Sequence, residues 1–324
     1  MKKKHIVALA CIFMACAFVF VPFSGKLDAG SLPMATTALS LSDWGIGNDS
    51  AAATVEATPY TSTAYPFSTA TQYINQYQKI NKDVIGWLNV PGTGIQEPIV
   101  FTNQDSNYYL YRDINGKNYP NTDYLNYVNT AIYADYRTKF GATWQKSSKN
   151  IVLYGHNWNN LRYPMKVGDH QGLTMFAQLP SYTDLTFAKT NPHVYFSLGD
   201  NSTRGTTANE GIWRVFAVGY TETSKDFFYN HPNPSDEKMQ ELIDGWAKRS
   251  IFKYDVDVAP SDHILTMTTC TRVYDAGAMK TTQRYVVVAR LLREGETEND
   301  TVRITKKADN EVLHPNFSVA TKSH

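Results

Sequence analysis

Along most of the chain, apolar residues alternate with polar ones or gather in short runs rich in Val, Ile and aromatic side chains, the pattern of strands buried on one or both faces. Eight such runs occupy residues 85–90, 98–101, 131–134, 150–154, 193–198, 212–220, 263–270 and 284–292. Eight short strands in succession predict a barrel or a sandwich. A different period appears twice. Tyr73, Ile74, Tyr77 and Ile80 recur at helical spacing, as do Met239, Leu242, Ile243 and Trp246. The second helix carries its own start signal, with Ser235 as N-cap and Asp236 and Glu237 in the first turn. The folded domain is expected over 71–296, beginning near Thr71. Residues 297–324 are polar and aperiodic and predict a loose tail. The stretch 199–211, with Ser202, Thr203, Thr206 and Thr207, has the composition of an enlarged hairpin tip.

The N-terminus breaks this pattern. Lys2, Lys3 and Lys4 precede an uncharged apolar run over residues 6–23. At helical rise that run reaches roughly 27 Å, close to the ~30 Å hydrocarbon core of a bilayer. It predicts a cytoplasmic tip and membrane anchor over 1–26 with the remainder outside the cell, since positive charge stays inside. Residues 27–70, rich in Ser, Thr, Ala and Gly, predict a flexible stalk. Charge is nearly balanced, with 31 Lys and Arg against 30 Asp and Glu, so the basic footprint that nucleic acid requires is missing.

Of three cysteines, Cys11 and Cys16 fall in the apolar run, which leaves Cys270 as the one thiol of the extracellular part. Most extracellular cysteines pair; one without a partner in its own domain is either a small buried hydrophobe or a reactive group. Strand alternation puts Cys270 at a strand end, on the face of Thr266 and Thr268. A thiol with an ordinary pKa of ~8.5 needs a base or a cation nearby to react well. His156, closing the run Ile151-Val152-Leu153-Tyr154-Gly155-His156-Asn157, is the histidine delivered in the same way, with Gly155 allowing a sharp turn and Asn157 offering a hydrogen bond. His193 and His263 have the setting of ordinary surface or strand-end residues, and His170, His231 and His314 lie in polar loops. Arg284 heads the last strand and would sit beside the thiol if that strand paired antiparallel with the cysteine strand; Arg272 is the competing candidate. Thr269 and Asn157 are candidate substrate contacts, and Asp275 a candidate for orienting His156 or Arg284. No metal-ligand spacing, phosphate loop or cofactor motif is present.

Taken together, these motifs resemble the sortases, and most closely class B. Tyr154-Gly155-His156-Asn157 is similar to the family's histidine motif. Thr266-Met267-Thr268-Thr269-Cys270 resembles its Thr-Leu-x-Thr-Cys motif, with Met267 and Thr268 as variants. Arg284-Tyr285-Val286-Val287-Val288-Ala289 resembles its arginine-led last strand. Asp83-Val84-Ile85-Gly86-Trp87-Leu88, the segment Ile132-Tyr133-Ala134-Asp135-Tyr136-Arg137 and the helix inserted before the cysteine strand extend the likeness over about 80–293. The resemblance implies a mainly β fold, a closed eight-stranded barrel with a few peripheral helices. It implies a Gram-positive, membrane-anchored cysteine transpeptidase with His156, Cys270 and Arg284 as catalytic residues and no cofactor. Its partners would be secreted proteins bearing a C-terminal sorting motif and a peptidoglycan precursor amine. Two other readings stay open at this point: a cysteine peptidase that releases its product to water, and a membrane-tethered binding module without activity.

Overall fold

The computed structural model describes residues 67–119, 130–157, 175–199, 208–223, 229–274 and 282–315. The expected anchor at 1–26, nearly all of the stalk, the tip of the 199–211 stretch, Asp275 and His170 lie outside these residues. Among the described residues no helix is long and apolar enough to cross a membrane.

The runs of apolar alternation become strands β1 (Val84–Asn89), β2 (Gln96–Val100), β3 (Ile132–Ala134), β4 (Asn150–Tyr154), β5 (His193–Gly199), β7 (Ile212–Glu222), β9 (Ile264–Cys270) and β10 (Gln283–Leu291). They pair in the order β1-β2-β3-β4-β9-β10-β7-β5, and β5 pairs back onto β1, so an eight-stranded barrel closes without a free edge. A two-residue strand, β6 (Ala208–Asn209), pairs antiparallel with the end of β5. Two neighbours are parallel, β2 with β3 and β4 with β9. All the other pairs are antiparallel.

Alternation along the strands divides the side chains between two cores. Ile151, Leu153, Leu265, Met267, Tyr285 and Val287 fill the barrel. Val152, Ile264, Val286 and Val288 point outward, where helix α3 (Asp236–Arg249) covers them with Met239, Leu242, Ile243 and Trp246. The Ser235 side chain accepts from the Lys238 amide, as an N-cap should, and the acidic first turn and basic last turn suit the helix dipole. Helix α1 (Phe67–Ile80) begins before Thr71 and packs Ala70 and Ile74 on Trp87, whose ring stacks on Tyr73 at 4.5 Å.

Three short elements depart from the sequence expectation. Helix α2 (Leu185–Thr190) is one and a half turns, capped by Asp184. Strand β8 (Phe252–Tyr254) pairs antiparallel with β11 (Ile304–Lys306), and Ile304 is buried. The residues after Glu296 are therefore docked through position 315, not a loose tail. One buried isoleucine in a polar run leaves no period to detect; the pairing comes from a backbone edge supplied by β8.

His193 is a second correction. It begins β5, at a strand end as expected, but it is buried rather than at the surface, and it accepts a hydrogen bond from Arg214 Nε at 3.2 Å. Burial, then the Arg214 charge, push its pKa down to about 4, which keeps the ring neutral. Close by, Arg290 makes two 2.7 Å bonds to the Glu296 carboxylate. The Arg290 side chain is 1% exposed, so loss of its partner strands a buried charge. Glu296→Ala should cost about 3 kcal/mol in urea unfolding at pH 7. Arg290 holds the Glu296 pKa down to about 2, from 4.5. Its contribution is complete above pH 4.5 and fades as the pH falls toward 2, so the gap between wild type and variant should narrow in acid.

Candidate active site

The parallel pairing of β4 with β9 is what assembles the site. The two strands stay in register up to Tyr154 and Thr268, and the Gly155 amide continues the ladder to Thr268 O at 3.3 Å. His156 and Cys270 each stand two residues beyond that last pair, so both strands deliver a reactive side chain at the same end of the barrel. On the other side of β9, Arg284 is the direct register partner of Cys270. Cross-strand partners point to the same face, so the guanidinium and the thiol share the outer face of the sheet. Arg272 lies beyond the end of β9 and outside this pairing. Cys270 is partly buried and forms no disulfide.

Helix α3 covers the lower part of that face, and polar side chains bind the rest. Thr266 donates to Asn150 Oδ1 at 2.7 Å, and Asn150 Nδ2 donates to the carbonyls of Tyr229 and His231. The Thr268 and Tyr229 hydroxyls meet at 3.2 Å. Buried polar groups satisfied in this way fix the floor beneath the thiol.

His156 Nε2 lies 2.6 Å from Leu110 O. A carbonyl only accepts, so Nε2 carries the hydrogen and the neutral ring presents Nδ1 as its basic nitrogen. Burial lowers the His156 pKa below the ordinary imidazole value; the bond to Leu110 opposes this, and the Arg284 charge adds to it. Thr269 and Asn157, expected as substrate contacts, are both buried and bonded across the two strands. The Thr269 hydroxyl donates to Gly155 O at 2.7 Å and Asn157 Nδ2 donates to Cys270 O at 3.2 Å. They tie the histidine and cysteine strand ends together.

The reason for Gly155 also changes. Its φ is not positive, so no left-handed turn is involved. A Cβ there would lie 2.7 Å from the Phe176 ring, and the Phe176 amide donates to His156 O at 3.1 Å. Glycine lets this chain approach closely.

The sequence places Tyr133 and Tyr154 within family-like segments but gives these tyrosines no role. Tyr154 donates to Asp135 Oδ2 at 2.9 Å, and Asp135 is held in a two-point ion pair by Arg137. Tyr133 packs on Tyr154 with ring centroids 5.4 Å apart. Burial first, then the Cys270 charge, raise the Tyr133 pKa, with Arg284 opposing, so its phenol stays protonated beside both groups. Leu110 and Tyr111 come from a polar segment with no motif; only the fold brings them to His156. Among the described residues, no three His, Cys, Asp or Glu side chains are grouped to hold a metal ion.

No protein-family model matches the chain. Sortase B of Staphylococcus aureus is 28% identical over 223 residues, spanning 67% of this chain and 73% of the relative. Sortase B of Listeria monocytogenes is 29% identical over 214 residues, spanning 64% and 71%. The solved Staphylococcus aureus sortase B–substrate complex superposes with a TM-score of 0.51 at 25% identity, covering 70% of this chain and 87% of that one. With the closed barrel and the residues gathered at its rim, these likenesses make the chain similar to the sortase-type cysteine transpeptidases. The relatives it resembles here are class B enzymes.

Proposed function

We propose that Cys270 is the nucleophile of this transpeptidase, His156 its general acid and base, and Arg284 the group that holds the substrate carbonyl or the developing oxyanion. The observation that carries this reading is the double register of β9, with Arg284 opposite Cys270 on one side and the His156 strand end alongside on the other. The substrate is a secreted protein with a C-terminal sorting pentapeptide. The acceptor is an amine of a cell-wall precursor, and the product is an anchored surface protein. The membrane segment at 1–26 and the stalk confine a Gram-positive, extracellular enzyme to the surface where both substrates arrive.

The chemistry runs in two acyl transfers. The Cys270 thiol passes its proton to His156, and the thiolate attacks the carbonyl of the sorting-signal threonine. The C–N bond then breaks, His156 returns the proton to the departing amine, and a thioester remains on Cys270. The acceptor amine attacks that thioester, gives up a proton through His156, and releases the ligated product with the thiol restored. Arg284 meets the negative charge on oxygen in both tetrahedral intermediates. Thr269 and Asn157 serve as positioning residues.

The test is product analysis. Quenched fluorescent peptides carrying sorting-type motifs are incubated with the protein, with and without an amine acceptor, and the products are weighed by mass spectrometry. The expected result is cleavage, a thioacyl adduct at Cys270, and an acceptor-linked product. A hydrolysed product alone, at every acceptor concentration, would replace this reading with that of a peptidase.

A further inference from the structure

At His314 the docked C-terminal segment meets Tyr274, among the residues that follow Cys270. After pairing with β8, it satisfies backbone carbonyls at the end of α3: Lys307 Nζ donates to Ala247 O, and the Leu313 amide donates to Lys248 O at 2.8 Å. His314 then bridges two groups, with Nδ1 2.8 Å from the Tyr274 hydroxyl and Nε2 2.9 Å from Asp309 Oδ1. Because the carboxylate accepts, Nε2 is the protonated nitrogen, and in the neutral ring Nδ1 accepts from Tyr274.

Tyr274 lies four residues past Cys270, and its own contacts lead back to the site. Its ring meets Tyr220 edge-on at 5.4 Å, and its amide donates to Gln283 Oε1 at 2.8 Å. Gln283 is fully buried, and its carbonyl accepts from Arg284 Nη1 at 2.9 Å and from the Thr271 amide at 3.4 Å. The path from His314 therefore reaches the neighbour of Cys270 and the guanidinium of Arg284 through bonded atoms.

We propose that His314 is a positioning residue for the acyl transfer: through Tyr274 it fixes residues 271–274 and the Gln283–Arg284 start of β10, and so holds Arg284 in place opposite Cys270. The proposal rests on Cys270 and Arg284 acting as described under Proposed function. A group that sets this alignment affects the chemical step more than peptide binding, because the misplacement is felt where bonds form and break.

The experiment measures kcat and KM for transpeptidation by the full-length chain in detergent. The panel is wild type, His314→Ala, Tyr274→Phe, the double variant, His314→Asn and Cys270→Ala. His314→Ala should lower kcat roughly fivefold, the scale of one lost hydrogen bond, with KM little changed. Tyr274→Phe, which keeps the ring on Tyr220, should match it, and the double variant should be no slower than either. His314→Asn should recover most of the loss, since its side-chain oxygen can take the place of Nδ1. An unchanged kcat in His314→Ala, losses that multiply in the double variant, or a His314→Asn as slow as the alanine variant would overturn the proposal. If Cys270→Ala cleaves as wild type does, the nucleophile assignment fails instead; an inactive Cys270→Ala beside an unaffected His314→Ala removes only the positioning role.

Discussion

Cys270→Ala should abolish both peptide cleavage and acceptor ligation, a loss of at least ~10⁴-fold in kcat, while leaving the fold intact. The residue ends β9 on the outer face, partly buried, with its carbonyl held by Asn157. Alanine removes one sulfur from this rim and breaks none of the bonds that hold the strand. Thermal unfolding should therefore be nearly that of wild type, and the alanine protein should still bind a sorting-type peptide. A thiol-specific reagent offers an independent measure, because modification of wild type should fall on Cys270 and remove activity in proportion. Cleavage undiminished in Cys270→Ala would end the thioester mechanism, and a Cys270 inert to alkylation in the native protein would return the binding-module reading.

His156→Gln should lower kcat by roughly 10³-fold, within the range that general acid–base catalysis supplies. Glutamine can still donate to Leu110 O, but it cannot take a proton from the thiol or return one to the leaving amine. The pH dependence carries a second expectation. Burial and the Arg284 charge lower the His156 pKa, so the ring stays in its base form at mildly acid pH. The acid limb of the kcat/KM profile, where it reflects His156, should lie below the ordinary imidazole value of 6.5. It should move upward in Arg284→Ala, which removes one of the two lowering influences. Rates across pH 4 to 9 on the two proteins measure this; an acid limb that stayed put in Arg284→Ala would separate the guanidinium from the histidine.

Much of the architecture was legible in the sequence because it depends on neighbours along the chain. Strand period, the Ser235 cap with its acidic first turn, and the apolar stripe of α3 are local properties, and all eight expected strands form the barrel with ends within about two residues. The residue types at the strand ends were equally visible: a cysteine, a histidine and an arginine, each preceded or followed by an apolar run.

The assembly of those residues was not written in any one segment. Pairing β4 with β9 joins backbone groups more than a hundred positions apart, and nothing in either strand's alternation says that they run parallel or that Tyr154 faces Thr268. Closure of the barrel makes that choice. The same holds for His193, an unremarkable strand-start residue until Arg214 and the folded walls desolvate it. It holds for Thr269 and Asn157, whose hydroxyl and amide the fold turns inward to bind the opposite strand. The C-terminal segment is the clearest case: its polar sequence has no period, and its place is set by the free edge of β8, the carbonyls at the end of α3 and the Tyr274 hydroxyl. Sequence by itself determined the elements and the reactive groups; tertiary structure decided which of those groups meet, because register and burial are properties of pairs of segments that no single stretch of chain contains.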